Sequence, residues 1–227
     1  MSILVVAAHP DDEVLGCGAS VAKWAKAGNE VHVVILAEGA TSRDATRNPE
    51  ARIEELSTLA KAAQSAGEIL GVTSVRLFNF PDNRMDSVDR LEVIKIGEEQ
   101  IELVKPETVV THHYGDINID HQITHQAVVT ACRPQPRESV RRLLVFEVPS
   151  STEWQPPNTS PVFRPNWFED VSKTLERKLQ ALEIYAEEMR TWPHSRSLQA
   201  VEHLARWRGS SVGYEAAEAF MLLRELC

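Results

Sequence analysis

Short apolar runs alternate along much of the chain with longer stretches in which apolar residues recur at a helical period. The runs predict five strands, at about residues 3–7, 31–36, 75–78, 108–111 and 142–148. The longer stretches predict helices, at about residues 13–26, 49–66, 87–104 and 119–132. Strands that are apolar throughout and alternate with helices are typical of a mostly parallel sheet flanked by helices. With right-handed crossovers, this order predicts an α/β, Rossmann-like fold.

The pattern changes after Pro149. Residues 150–166 are rich in Pro, Ser, Thr and Asn and predict a long irregular loop. Two helical stretches, at about 167–189 and 195–208, are expected to follow it. Because loops of this length in compact domains are often functional, we expect this one to form a substrate wall or a lid.

Length and composition fit one compact domain. The chain has 227 residues, 43% of them hydrophobic, which is enough for one sizeable core. We expect a single domain over residues 1–227, with a Rossmann-like core at 1–149 and a loop and helical extension at 150–227. The apolar N-terminal run is too short for a signal sequence or a membrane span, and the three cysteines lie far apart. A cytoplasmic location is therefore expected.

The net charge of the chain argues against some classes of binding partner. Asp and Glu number 33 against 24 Lys and Arg, which gives a net charge of -9. This charge would repel nucleic acid and an anionic membrane surface over most of the protein. A small molecule is the expected partner, and the sequence leaves open whether the chain forms a homo-oligomer.

Three polar clusters follow predicted strands. They occupy residues 9–13, 40–44 and 112–116, and the third leads into Asn118-Ile119-Asp120-His121 at the start of a predicted helix. In an open α/β sheet, ligands bind beyond the carboxyl ends of the strands. We therefore expect the three clusters to converge on one site.

The first cluster holds one imidazole and three carboxylates, at His9, Asp11, Asp12 and Glu13. Burying so many ionisable groups is costly unless a divalent metal compensates them. One His and one Asp of this loop, with a second His from elsewhere, would leave a position open for water, as catalytic zinc requires. The alternative is that the acids only stabilise the N-terminus of a helix. His9 and the second His/Asp cluster favour the metal.

The segment Ala8-His9-Pro10-Asp11-Asp12-Glu13 resembles the signature of the PIG-L or LmbE-like family. These are zinc-dependent deacetylases related to N-acetylglucosaminyl-phosphatidylinositol deacetylase, and the resemblance extends from Ile3 to about Phe220. It implies a Rossmann-like fold and hydrolysis of the acetamide of an N-acetylglucosamine-type sugar or sugar conjugate. The implied products are the free amine and acetate. Fe²⁺ or Co²⁺ could occupy the same ligands, since nitrogen and oxygen donors select weakly among these metals.

The resemblance also implies roles for individual residues. His9 and Asp12 are similar to the first two zinc ligands of the family, and Asp11 to its general base. The second family motif ends in the third ligand, which corresponds to His121, and Asp120 would then be an orienting carboxylate.

One position departs from the family pattern. Asn118 stands where many members have a His that assists the charge developing on the carbonyl oxygen. Either the Asn118 amide donates instead, or His113 at the end of the fourth strand takes the role. His125, four residues after His121, has the spacing to share a metal, but we prefer a packed or orienting role for it.

Substrate contacts are expected from two further residues. Arg43 follows the second strand, and its planar guanidinium suits a phosphate or sugar hydroxyls, although a surface salt bridge is an equal alternative. Asp82, in a segment that follows the third strand and resembles part of the family's sugar pocket, could accept bonds from hydroxyls or form a turn.

Two other functions remain open from the sequence. The same metal centre could hydrolyse a larger amide, such as a thiol-sugar conjugate or an acylated antibiotic, with the loop at 150–166 shaping the pocket. The fold could also serve a non-catalytic sugar- or nucleotide-binding module. The presence of Asp11 and all three expected ligands argues against that module.

Overall fold

The computed structural model describes residues 1–136 and 139–227. Its strands are β1 (Ser2–Ala7), β2 (Glu30–Ala37), β3 (Ser74–Phe80), β4 (Thr108–His112), β5 (Arg142–Phe146), β6 (Trp167–Asp170) and β7 (Ala217–Glu225). The α-helices are α1 (Asp12–Lys26), α2 (Ile53–Leu70), α3 (Arg90–Val104), α4 (Ile119–Ala131), α5 (Leu175–Ile184) and α6 (Leu198–Ser210). The strands form one sheet in the order β3-β2-β1-β4-β5-β7-β6.

Strands β1 to β5 are parallel to one another. In the centre of the sheet, Val5 of β1 lies between Val33 of β2 and Val110 of β4. All three residues are buried, because helices cover both faces of this part of the sheet. The predicted α/β fold with a mostly parallel sheet is confirmed.

The helices form one layer on each face of the sheet. Alternate residues of β1 show this arrangement: Val5 packs with residues of α1, α2 and α5, whereas Leu4 packs with residues of α3 and α4. In the described part of the chain, no helix has both the length and the apolar character needed to cross a membrane.

The end of the sheet differs from the sequence prediction. The stretch 167–189, predicted as helix, begins with strand β6, and residues 217–225 form strand β7, which was not predicted. Strand β7 pairs antiparallel with both β5 and β6, so it lies between them although it follows both in sequence. The Ala, Glu, Met and Leu residues of β7 favour a helix, and pairing with the open edge of β5 overrides that preference.

Helix α1 contains a kink at Cys17, whose φ of -148° and ψ of 19° are not helical. A buried ion pair, Lys178 with Glu218 at 2.6 Å, bonds the backbone groups that the kink leaves open. Lys178 Nζ donates to the carbonyl of Leu15 at 2.8 Å. The carboxylate of Glu218 accepts from the amides of Ala19 and Ser20, at 3.1 and 2.6 Å. Helix α5 and strand β7 therefore both fix the shape of α1.

Candidate active site

The turn between β1 and α1 brings the first polar cluster to the carboxyl edge of the sheet. Asp11 lies at the start of α1 with a φ of 107°, a left-handed conformation that is rare for a residue with a side chain. The carboxylate of Glu13 accepts from the amide of Asp11 at 3.0 Å, and the hydroxyl of Tyr185 donates to Glu13 at 2.7 Å. Burial raises the pKa of Glu13 to about 8, although the Tyr185 hydroxyl lowers it. Glu13 thus holds the turn instead of facing solvent.

The three expected metal ligands meet at Asp12. His9 Nδ1 and His121 Nε2 each lie 3.1 Å from Asp12 Oδ2. One ligand atom from each residue lies within 4.8 Å of the others. Among residues 1–136 and 139–227, the buried Oδ1 of Asp12 has no hydrogen-bond partner. Two imidazoles, a carboxylate and an unsatisfied oxygen fit a three-ligand zinc site with an open position.

The second nitrogen of each imidazole faces another carboxylate. His9 Nε2 lies 2.9 Å from Asp120 and 3.3 Å from Asp82, and His121 Nδ1 lies 3.2 Å from Asp116. Histidines that bind metal generally donate their other ring N–H to such a group, which fixes the tautomer and the ring orientation. Asp120 and Asp116 thus each contact the second nitrogen of one of the two imidazoles.

Asp116 is a functional candidate that we did not single out from the sequence. It accepts hydrogen bonds from the hydroxyls of Ser151 and Thr152, the latter at 2.7 Å. Burial raises its pKa, but His121 and these hydroxyls outweigh burial and lower the pKa to about 2. For His121 the effects have the opposite sign: burial lowers the pKa of its imidazole, but the carboxylates of Asp12 and Asp116 outweigh burial and raise it to about 9. Its place in the cluster after β4 was the only signal of its role.

Arg196 reaches the site from the segment before α6. Its Nη1 donates to Asp11 Oδ2 at 3.1 Å, and its Nε donates to the hydroxyl of Ser150 at 3.0 Å. Burial raises the pKa of Asp11 to about 7, although Arg196 lowers it. Arg196 lies far from every motif in sequence, so no spacing pointed to it.

The two residues expected to assist the carbonyl oxygen, Asn118 and His113, have other hydrogen-bond partners in this structure. Asn118 caps α4, where its Oδ1 accepts from the amide of Asp120 at 2.8 Å and its Nδ2 donates to Asn83 at 3.0 Å. His113 Nε2 lies 3.0 Å from the carbonyl oxygen of Pro161, in the loop 150–166. Both side chains thus support neighbouring loops in this structure.

Two other histidines have structural contacts. His112 Nε2 accepts from the amide of Ala8 at 2.8 Å, and its ring stacks on His121 with centroids 4.0 Å apart. Burial and the neighbouring His121 lower the pKa of His112 well below its usual value. His125 Nδ1 lies 2.9 Å from the carbonyl oxygen of His112, in agreement with the packed role preferred for it.

The expected substrate contacts border a polar cavity of about 240 Å³ beside His9 and Asp11. Arg43 lines this cavity, but its guanidinium is paired with Glu55 and, at 2.7 Å, with Glu188. Asp82 also lines it and accepts from the amide of Ser42 at 3.0 Å. The cavity is wide enough for a small polar substrate next to the proposed ligands.

The chain is similar to known proteins in sequence and in fold. A sequence model of the family described as GlcNAc-PI de-N-acetylase (PIG-L) matches residues 4–132, more than half of the chain. The uncharacterized deacetylase YaiS of Escherichia coli is 33% identical over 156 residues, covering 66% of this chain and 75% of that protein.

Two further proteins extend the likeness. The 4-oxalmesaconate hydratase of Pseudomonas putida is 28% identical over 210 residues, covering 85% of this chain and 76% of that protein. The structure of the N,N'-diacetylchitobiose deacetylase of Pyrococcus horikoshii superposes with a TM-score of 0.77 at 17% identity. It covers 98% of this chain and 84% of that one, so the fold is shared over nearly the whole chain.

Proposed function

The chain belongs to the PIG-L family, and from this membership we propose that it is a zinc-dependent N-deacetylase. The proposed reaction hydrolyses the acetamide of an N-acetylglucosamine-type sugar or sugar conjugate to the free amine and acetate. The observation that carries the proposal is the meeting of His9, His121 and the unsatisfied oxygen of Asp12, with the Asp11 carboxylate beside them. The deacetylase of Escherichia coli supports the same class of reaction.

His9, Asp12 and His121 would hold the zinc ion. Bound there, zinc would supply a positive charge that makes a water molecule more acidic and polarises a carbonyl group. Asp120 and Asp116 would keep the two imidazoles in the orientation that leaves one nitrogen of each free for the metal.

Asp11 would act as the general base. Its buried carboxylate has a pKa of about 7, so it can accept a proton from water near neutral pH. Attack of that water on the acetamide carbon forms a tetrahedral intermediate. The proton held by Asp11 then passes to the nitrogen as the C–N bond breaks, and acetate and the amine leave. The cavity beside His9 and Asp11 would bind the sugar, with Asp82 accepting from its hydroxyls.

The test is acetate release from a panel of N-acetylglucosamine derivatives: the free sugar, a nucleotide-linked form and an inositol-linked form. Metal-stripped protein is assayed with and without zinc, beside Asp11→Asn and the exposed control Asp86→Asn. We expect zinc-dependent release that Asp11→Asn lowers by ~10²–10⁴-fold and Asp86→Asn leaves unchanged. Zinc binding without acetate release from any derivative would contradict the proposal and favour a larger amide.

A second candidate function is supported by the relative from Pseudomonas putida, whose name is that of a hydratase. Hydration of a carbon–carbon double bond also begins with a water molecule that loses a proton to a base, so the same side chains suit both reactions. Incubation with 4-oxalmesaconate separates the two. Loss of its absorbance without acetate release from the sugar panel would favour the hydratase.

A further inference from the structure

Arg196 lies outside residues 4–132, the segment that matches the family, yet its guanidinium contacts the proposed base. We infer that Arg196 is a catalytic residue, which donates from Nη2 to the acetamide oxygen as that oxygen becomes negatively charged. This inference rests on the proposed deacetylation. Arg196 would then be the donor to the carbonyl oxygen, a role that in many family members belongs to the His that Asn118 replaces here.

The contacts of Arg196 hold it in place and leave one nitrogen free. Nε donates to Ser150 at 3.0 Å and Nη1 donates to Asp11 at 3.1 Å. Its own amide donates to His194 Nδ1 at 3.0 Å, which fixes the backbone. Within residues 1–136 and 139–227, Nη2 has no hydrogen-bond partner, and the side chain lines the cavity that also borders His9. An unused donor therefore lies beside the base and the proposed sugar site.

The other guanidinium near the base is already engaged. Both terminal nitrogens of Arg43 are paired, with Glu55 and Glu188. The side chain of Arg43 is 39% exposed, against 22% for Arg196. Since a charge acts more strongly where water is excluded, Arg196 is better placed to stabilise a developing anion.

Neither Asn118 nor His113 is among the described residues that line the cavity. The Asn118 amide donates to Asn83, and the polar contact of His113 is with the carbonyl oxygen of Pro161. His113 would have to leave the Pro161 carbonyl to donate from Nε2 to a substrate, and the Asn118 amide has one of its two N–H groups left. Arg196 needs no such rearrangement, because Nη2 is free while Nη1 stays on Asp11.

In this reaction Arg196 donates a hydrogen bond and transfers no proton. The oxygen of water bonds to the carbonyl carbon, the π electrons of the C=O bond move to its oxygen, and the proton of water goes to Asp11. Arg196 keeps all its protons, since its pKa is raised further above an already high value, mainly by Asp11. When the C=O bond re-forms and the C–N bond breaks, the hydrogen bond from Nη2 weakens again. Stabilisation confined to the transition state raises kcat with little effect on KM.

The experiment compares Arg196→Ala and Arg196→Lys with the exposed control Arg206→Met, all loaded with zinc. We expect Arg196→Ala to lower kcat by ~10²–10³-fold with KM nearly unchanged, and Arg206→Met to have no effect. The ammonium group of lysine has one nitrogen, so it cannot donate to Asp11 and to the substrate from two separate nitrogens as a guanidinium does. Arg196→Lys should therefore restore only part of the rate. Added guanidinium ion should raise the rate of Arg196→Ala, and zinc affinity should be the same in all variants.

A binding measurement separates this inference from the proposed function. A methylphosphonamide of glucosamine carries tetrahedral anionic oxygens in place of the acetamide, and glucosamine itself carries none. Calorimetry should show that Arg196→Ala weakens binding of the phosphonamide by ~30-fold or more and leaves binding of glucosamine unchanged. Wild-type turnover with an unchanged kcat in Arg196→Ala, or a rise in KM alone, would overturn the role of Arg196 and leave the deacetylase standing. A wild-type chain that neither releases acetate nor binds the phosphonamide would overturn both.

Discussion

The backbone of Asp11 has a conformation that costs ~1–3 kcal/mol for a residue with a side chain and persists only when neighbours hold it. Three groups do so here. Glu13 accepts from the Asp11 amide, Arg196 donates to the Asp11 carboxylate, and the amides of Val14 and Leu15 donate to the Asp11 carbonyl. Because Asp11 lines the cavity, we expect the residues that hold this turn to affect the reaction as well.

Removing the hydroxyl of Tyr185 tests this support. In Tyr185→Phe the buried carboxylate of Glu13 loses a hydrogen bond, which should reduce the free energy of unfolding by ~1–3 kcal/mol. We also expect kcat to fall, because the Asp11 turn is held less firmly. Urea unfolding and acetate release measure the two effects. The exposed Tyr214→Phe is the matched control, and an equal change in both variants would contradict the role of Tyr185.

Asp116 should tune the affinity of the metal site. In Asp116→Asn, the neutral amide oxygen accepts from the Nδ1–H of His121 more weakly than the carboxylate does, so we expect zinc affinity to fall by ~10–100-fold. Competition with a chelating dye measures the change. Asp86→Asn removes the same charge from an exposed position and should bind zinc as the wild type does. Unchanged affinity in Asp116→Asn would show that His121 is oriented by other contacts.

Sequence reasoning located the residues of this site that lie in local motifs and missed those that reach it from a distance. His9, Asp12 and His121 belong to clusters at strand ends, whose convergence the order of strands and helices predicts, and the family resemblance singled them out as ligands. Tyr185 and Arg196 come from segments whose sequence shows only helical patterning. Which of their side chains points at the site depends on how α5 and α6 pack, and a single sequence does not encode that packing in any short pattern.

At the scale of elements, the kink in α1 links the site to the far end of the sheet. The Lys178–Glu218 pair bonds the backbone on both sides of Cys17, and the same helix begins at the Asp11 turn. A shift in the register of β7 would therefore move Glu218 and displace the start of α1.

Neutralising one member of the buried Lys178–Glu218 pair should destabilise the fold. In Glu218→Gln the cation of Lys178 is left buried without a counter-charge, so we expect the free energy of unfolding to fall by ~3–5 kcal/mol. The double variant Lys178→Met/Glu218→Gln should recover part of this loss, because no unpaired charge remains. Urea unfolding gives the values.

The matched control is the exposed pair of Arg206 with Glu202 on α6. Glu202→Gln should change stability by less than ~1 kcal/mol, since exposed pairs contribute little. A loss in Glu218→Gln no larger than that of the control would show that the buried pair does not support α1.

Helices and strands were predicted accurately where apolar residues recur with a clear period. The prediction failed where pairing with a neighbouring strand determines the secondary structure. The five parallel strands and the helices between them were recognised from apolar runs and helical spacing. Strand β7 was missed because its Ala-Glu-Ala-Phe-Met-Leu-Leu run has the composition of a helix, and only the edge of β5 makes it a strand. The four residues of β6 are too few to show alternation.

At the scale of the whole molecule, one core joins both ends of the chain. Leu15 of α1, Leu182 of α5 and Phe220 of β7 belong to the same buried cluster. The sequence expectation of a single domain over residues 1–227 accordingly predicts one cooperative unfolding transition. Tryptophan fluorescence, which reports on Trp24 and Trp167 among others, and far-UV circular dichroism should give the same urea midpoint. Two separated midpoints would mean that residues 150–227 unfold apart from 1–149.

The position of β7 between two strands that precede it has a consequence for the chain as it leaves the ribosome. Strand β5 and strand β6 are both made before residues 217–225, so β6 has no neighbour and β5 presents an unpaired row of backbone groups. Such an edge readily pairs with other chains. Nascent chains are therefore exposed to aggregation in the interval between the synthesis of β5 and that of β7. A chaperone that covers β5 at that stage would protect the chain until β7 is available.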